Sequence, residues 1–274
     1  LTVRAAVCQL NAGGEDVDAN LATAGRLVRE ASDGGADIAV LPELFAYYGS
    51  QRQMRAMAEP LGGPITTFLS DLARDRTMWL LGGSVCEAAD GRVYNASFLF
   101  DREGESVARY RKIHLYDAEL PGQRPIRESA LFAAGDEVVT RDIEGIRLGL
   151  SICYDLRFPE LYRGLMTSGA LVLAVPSAFQ ATTGAAHWEA LLRARAIEEQ
   201  SYVLAAAQWG PWGAPAAGHR TFGNAMIVDP WGQVLERAPE EGDGVWFAEL
   251  DLETVRSVRA RLPALAHRRL GTVC

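Results

Sequence analysis

Two spacings of apolar residues take turns along the chain. Residues 3–9 (VRAAVCQ) form a run of strand length, and after Asp18 the positions Leu21, Ala24, Leu27, Val28 and Ala31 recur at helical spacing until Gly34 and Gly35 stop them. The β-branched run at 37–41 predicts the next strand. Pro64 fits the first turn of a helix reaching about Arg74, because the N–H it lacks is one that a helix start leaves unpaired anyway. Strands follow at 79–86 and 94–100, with Asp90-Gly91 as the turn signal between them, and another lies at 105–112. Residues 114–136 hold Pro121, Gly122, Pro125 and Gly135 and keep no period. They read as a long, mostly irregular connection of the kind that usually carries function.

The second half repeats the alternation. Strands at 138–143 and 146–152 meet through Glu144-Gly145, Pro159 opens a helix that stops at Gly169, and 170–175 is a buried strand. Ala190, Leu191, Ala194 and Ile197 mark one face of a helix over about 184–200, with Glu189 and Arg193 as a surface i,i+4 ion pair. Strands at 202–207, 225–229, 234–237 and 245–250 come next, then a short helix and a tail with Pro and Arg. GGADIAVLPE (34–43) and SGALVLAVPSA (168–178) echo one another, each running from a helix-ending glycine through a short buried strand into proline. Hairpins among alternating strands and helices predict an α/β fold with sheets of mixed direction and helices outside. No Pro/Gly/Ser-rich linker cuts the chain, so 1–274 reads as a single domain.

Composition then narrows the function classes. An apolar fraction of 49% in 274 residues fills a substantial core, and 27 basic against 35 acidic residues leave a formal charge of −8. Such a surface repels phosphate backbones and anionic lipid, and no basic run of five or more residues offsets it, so neither nucleic acid nor a membrane surface is an expected partner. The longest apolar runs, 170–175 and 202–207, fall far short of the ~20 residues that span a bilayer. No charged start followed by an apolar stretch suggests a secretory signal, and a soluble chain is expected. Cys8, Cys86, Cys153 and Cys274 are widely scattered in a chain large enough to need no disulfides, which points to a reducing, cytoplasmic setting. His114, His187, His219 and His267 lie far apart, and CxxC, HExxH, GxGxxG and GxxxxGK[ST] are all missing, so no metal and no cofactor are expected.

Three residues could do chemistry together. Cys153, in GLSICYDLRFPE, closes an apolar strand just before a turn and a helix, where a thiol faces the crevice at the strand's carboxyl end and the next backbone N–H, that of Tyr154, can face a developing oxyanion. Glu43 closes AVLPE, and Lys112 closes its own strand in RYRKIH. Taken singly, each has a plainer reading: a small core residue for Cys153, a solvated strand-end charge for Glu43 and Lys112. A serine hydrolase is a rival, since Gly149, Ser151 and Cys153 make GxSxC, one residue away from the GxSxG elbow. The elbow needs its last glycine for a tight turn, and Ser151 alternates with Cys153 along the strand, leaving the cysteine at its tip.

VLPELF around Glu43, YRKIHL around Lys112 and CYDLRFPEL around Cys153 resemble the signature blocks of the nitrilase superfamily of carbon–nitrogen hydrolases, and the similarity runs from VRAAVCQLN to the DPWG turn at 229–232. The resemblance implies a four-layer αββα sandwich with mixed β-sheets, with Cys153 as nucleophile, Glu43 as general base and acid, and Lys112 as the cation that stabilises the oxyanion and favours the thiolate. Glu128, in IRES, matches a supporting glutamate of the superfamily. PGQRPIRES (121–129), PSAFQATTGAAHWEALLRARAIEEQSYVLAAAQ (176–208) and LPALAHRR (262–269) resemble the Nit branch, above all its enzymes that split deaminated glutathione into 2-oxoglutarate and cysteinylglycine. Alternatives are an ω-amidase acting on 2-oxoglutaramate, another amidase, nitrilase or carbamoylase of the superfamily, or a catalytically silent binding protein. A carboxylated amide needs a cationic partner, for which Arg157 is the candidate, although it could equally pair Glu160 or a neighbouring loop. Thr182 and Thr183 are candidate substrate contacts, whereas His187 and Trp188 are expected to pack the helix start. AYYGSQRQ (46–53), Gln180 and QWGPWGAPAAGHR (208–220) depart from the pattern with bulky or irregular residues near the expected pocket mouth. The resemblance also implies a homodimer or higher homo-oligomer built through an αββα–αββα interface.

Overall fold

The computed structural model describes residues 1–14, 16–120, 124–213 and 218–270. Parts of the PGQRPIRES and QWGPWGAPAAGHR segments, at 121–123 and 214–217, and Cys274 lie outside the described residues. The first half runs β1 (Thr2–Leu10), α1 (Val17–Asp33), β2 (Ile38–Val40), α2 (Gln51–Ala56), α3 (Pro64–Arg76), β3 (Trp79–Leu81), β4 (Val85–Ala89), β5 (Arg92–Phe100), β6 (Ser106–Arg111), β7 (Asp117–Ala118) and β8 (Ile126–Arg127). The second runs β9 (Thr140–Ile143), β10 (Ile146–Leu150), α4 (Pro159–Thr167), β11 (Val172–Ala174), α5 (Ala181–Glu199), β12 (Tyr202–Ala205), β13 (Ala207–Pro211), β14 (Arg220–Phe222), β15 (Met226–Val228), β16 (Val234–Arg237), β17 (Gly244–Asp251) and α6 (Leu252–Arg261).

Strand alternation sorts the side chains into layers. Ala5 and Val7 of β1, Ile38 and Val40 of β2 and Leu81 of β3 join one core with Leu148, Leu150, Val172 and Val203 of the second sheet. The intervening Ala6, Cys8, Ala39 and Leu80 join another core with Leu27 and Val28 of α1 and Leu69 and Leu72 of α3. The first sheet is therefore packed on both faces, by the α1–α3 layer on one side and by the second sheet on the other. Leu161 and Leu165 of α4 and Trp188 and Leu192 of α5 close the far side, giving an α/β sandwich. Its larger sheet orders β14-β13-β1-β2-β3-β5-β4, with β17 also on β1 and β6 on β5, and its smaller sheet orders β16-β15-β12-β11-β10-β9. At the centre of each sheet, β1-β2-β3 and β10-β11-β12 are parallel, while hairpins extend the edges antiparallel.

Several boundaries differ from the sequence reading. The strand expected at 79–86 is two, β3 and β4, because the chain breaks at Gly83, which has φ +58° and whose added Cβ would sit 2.0 Å from the carbonyl oxygen of Pro42. The long connection at 114–136 holds the β7–β8 pair and a 3-10 turn at Glu128–Ala130, so it is less irregular than expected. Helix α2 and strands β13 and β14 carry no clear period and went unread, and α5 starts at Ala181 rather than near 184.

Candidate active site

Three strand ends converge on one cavity. Glu43 follows β2, Lys112 follows β6, and Cys153 opens a 3-10 turn, Cys153–Arg157, after β10. The Lys112 ammonium donates to Glu43 Oε1 at 2.8 Å and to both Glu128 oxygens at 2.9 Å. Asn95 of β5 donates to Glu43 Oε1 at 2.9 Å and to Glu128 Oε1 at 3.1 Å, and the Ala178 backbone N–H donates to Glu43 Oε2 at 2.8 Å. Glu43, Lys112, Glu128 and Cys153 all line one cavity. Two turns here hold non-glycine residues in the left-handed region, Leu44 at φ +50° and Cys153 at φ +48°, each a strain of roughly 1–2 kcal/mol. Polar groups buried in the fold hold both turns in place. The carboxylate of Asp155, fully buried, accepts from the Ile152 N–H, the Tyr110 hydroxyl and the His114 N–H. Gln208 Nε2 donates to the Glu43 and Leu44 carbonyls, while the Leu44 N–H donates to Ser84 Oγ.

The charges act on one another at short range. Burial, then the Glu43 carboxylate, pushes the Cys153 thiol well above its ordinary pKa, and Lys112 opposes them only in part. Lys112 thus favours the thiolate, while burial and Glu43 together outweigh it. For Lys112 burial favours the neutral amine, yet Glu128 and Glu43 together hold its pKa well above the usual lysine range. Burial raises the Glu128 carboxyl, against the pull of the Lys112 cation, and Glu43 adds to the rise.

The remaining candidates fall into place around this centre. Tyr154 lines the cavity beside Cys153, its ring edge-on to Tyr116 at 4.9 Å between centroids. Arg157 also lines it and has no ion pair with Glu160 among the described residues; its Nη1 lies 3.2 Å from His187 Nδ1, and its guanidinium sits 5.0 Å from the Phe179 ring centre. Thr183 lines the cavity and donates to the Gln180 carbonyl, whereas Thr182 is not among the lining residues. Trp188 packs in the core as expected, with its indole N–H on the Asn224 carbonyl, whereas His187, expected to pack with it, is exposed beside Arg157 because the helix turns it to the outer face. Ser151 is buried in hydrogen bonds to Tyr162 and the Ala174 carbonyl and takes no part in the cavity wall, which removes the main support for a serine elbow. Cys8 and Cys86 are core residues whose thiols burial pushes up to about 12. Sequence reasoning missed Asn95, Asp155, Gln208 and the Ala178 N–H, and of the departures it noted, Tyr48, Gly49, Gln51, Gln180 and Trp212 do line the cavity. Among the described residues no helix is long and apolar enough to cross a membrane, and no group of His, Cys, Asp and Glu is placed to hold a metal.

Residues 4–260 match the family described as carbon–nitrogen hydrolase. The chain is 42% identical over 271 residues to a deaminated glutathione amidase of Bos taurus, covering 96% of this chain and 81% of that protein. It is 38% identical over 268 residues to an omega-amidase, NIT2, of Mus musculus, covering 98% and 95%. Among solved structures it is similar to the C. elegans NitFhit protein, with a TM-score of 0.89 and 38% identity over 98% of this chain, which spans 65% of that protein's length.

Proposed function

The chain belongs to the carbon–nitrogen hydrolases, and from that premise we propose that it is a cysteine-dependent amidase that cleaves a small carboxylated amide through a thioester, with deaminated glutathione as the substrate. That it is a hydrolase of carbon–nitrogen bonds other than peptide bonds follows from the family and its amidase relatives. The observation that carries the finer reading is the meeting of Glu43, Lys112, Glu128 and Cys153 on one cavity wall. In the proposed reaction Glu43 takes the Cys153 proton as the sulfur attacks the amide carbon, and Lys112 with the Tyr154 backbone N–H stabilises the oxyanion. The C–N bond then breaks, the departing amine takes the proton from Glu43, and a thioester remains. Glu43 next removes a proton from water, which attacks the thioester and releases the acid with the thiol restored. Glu128 keeps Lys112 charged and positioned. Arg157 would meet the substrate's carboxylate, because a buried anion without a cation is costly. We place this chemistry in one domain over 1–274, in a cytoplasmic homodimer or higher homo-oligomer.

The test is a turnover screen with deaminated glutathione, 2-oxoglutaramate, succinamate, carbamoylated amines and simple nitriles. Deaminated glutathione is expected to show the highest kcat/KM. Cys153→Ala should abolish turnover, and Lys112→Ala should cost ~3 kcal/mol of barrier, as removal of an oxyanion donor does. Amide hydrolysis surviving in Cys153→Ala would overturn the mechanism, and a monomer in light scattering would overturn the dimer.

A further inference from the structure

Gln180 is 3% exposed, lines the same cavity as Cys153, and has no hydrogen-bond partner for either Oε1 or Nε2 among the described residues. Its main chain, by contrast, is held. The Gly184 N–H donates to its carbonyl at 2.7 Å, the Phe222 N–H donates to the adjacent Phe179 carbonyl at 2.9 Å, and Gln180 bridges Thr221 in antiparallel register. A fixed backbone thus presents an amide whose burial without partners costs roughly 1–3 kcal/mol per group. Such a group in a core would be replaced by a hydrocarbon at no loss; beside a reactive cysteine it is satisfied when a ligand brings both an acceptor and a donor.

That pairing requirement selects the ligand. A carboxylate satisfies Nε2 and leaves Oε1 empty, and an apolar group satisfies neither. The N–H and C=O of one extended amino acid residue lie along a single edge, as when one strand pairs with another, and match a carboxamide's acceptor and donor. The scissile carbonyl faces Lys112 in the proposed reaction, so the matching edge lies beyond it, on the amine side. The Tyr116 hydroxyl, lining the same cavity and likewise unpartnered among the described residues, offers a further polar contact.

We propose that Gln180 reads the main-chain edge of an aminoacyl leaving group, so that amides of an amino acid or dipeptide are preferred over primary amides that release ammonia. This rests on the reading of Cys153 as nucleophile and sharpens its substrate class. The experiment compares kcat/KM for 2-oxoglutaryl-cysteinylglycine and 2-oxoglutaramate in the wild type, Gln180→Met and Gln180→Asn, with Tm measured for each. In Gln180→Met the ratio of dipeptide amide to primary amide should fall roughly ten- to hundredfold, the worth of two hydrogen bonds, mostly through KM. Its Tm should stay level or rise, because an unpaired buried amide has been removed. Gln180→Asn, one methylene short, should lower the same ratio and keeps the question open to test where the methionine variant does not fold. An unchanged ratio, or both substrates falling together with Tm, overturns the proposal while leaving the amidase reading intact. A wild type that cleaves only the primary amide overturns both this proposal and the choice of deaminated glutathione.

Discussion

The stretches 34–43 and 168–178 read alike, and they occupy matching places in the two sheets: β2 lies between parallel β1 and β3, and β11 between parallel β10 and β12. They part company after the proline. Beyond Pro42 the chain turns through left-handed Leu44 and sends the Glu43 carboxylate to Lys112 and Asn95, with Gln208 and Ser84 bracing the turn. Beyond Pro176 it is the main chain that reaches the first unit and the cysteine turn. The Pro176 carbonyl accepts from the Cys153 N–H at 2.9 Å, and the Ala178 N–H donates to Glu43. One unit is a reactive side chain on a strained turn; the other is a backbone clamp joining the cysteine turn to the glutamate. Substitutions in the first should therefore strike turnover and spare the fold, whereas in the second they should strike the fold.

After loss of the nucleophile itself, the largest effect expected is that of Glu43→Gln, which keeps shape and most hydrogen bonds but removes the base. Its kcat should fall roughly 10²–10⁴-fold, with Tm moved by only a few degrees. It also carries a pH signature. The Glu43 charge raises the Cys153 thiol, so its removal should shift the midpoint of the pH–rate profile for iodoacetamide alkylation downwards. An upward or absent shift would mean that Glu43 does not face the sulfur. In the second unit, Leu173 of β11 is fully buried, and Leu173→Ala should cost ~2–5 kcal/mol of stability in denaturant titration. If kcat per folded molecule fell as steeply as in Glu43→Gln, the division between the units would fail.

The same division explains what could be read in advance. Glu43 and Cys153 each stand at the end of an apolar run and Lys112 at the end of the mixed strand SVARYR, and a reactive group at the close of a strand is visible in one dimension. Glu128 has no such mark and became visible only through the family resemblance of IRES. Asn95 sits within β5 and Asp155 within a tight turn, polar residues whose distant side-chain partners lie 33 to 52 and 41 to 45 positions away. The contribution of Ala178 is a backbone N–H, which no residue type announces. The fold obeyed the same limit: long periodic segments such as β1 and α1 were legible, whereas β13 and β14, with Trp, Gly and Pro between them, take their strand character from pairing with each other and with β1.

Gln208 tests the brace between the units. It donates to the Glu43 and Leu44 carbonyls at 2.7 and 3.1 Å, and its Oε1 accepts from the Ala12 N–H at 3.0 Å. Gln208→Leu leaves those groups unpaired in the core, and the expected loss is roughly 1–3 kcal/mol of stability. Because the turn that aims Glu43 loosens as well, kcat should drop about tenfold. A stability loss with unchanged kcat would show that the strained turn holds its shape without the brace.

The smallest effect expected concerns the outer layers. On the first sheet, Arg76 of α3 meets Asp33 of α1 at 3.5 Å in an exposed pair, which contributes little. On the second, Arg163 of α4 meets Glu199 of α5 at 2.9 Å, and Glu199 is fully buried. Burial raises the Glu199 carboxyl to about 7, outweighing the nearby Arg163, Arg195 and Arg268 cations, with Glu198 adding to the rise. A carboxyl whose pKa is higher folded than unfolded favours the fold while protonated, and that contribution fades as pH climbs from about 4.5 through about 7. Glu199→Gln mimics the protonated group, so the Tm difference between variant and wild type should grow in the variant's favour by a few degrees between pH 5 and about 8. Asp33→Asn should leave that profile flat. Equal slopes in the two variants would mean that the buried Glu199 carboxylate costs the fold no more than the exposed Asp33 one.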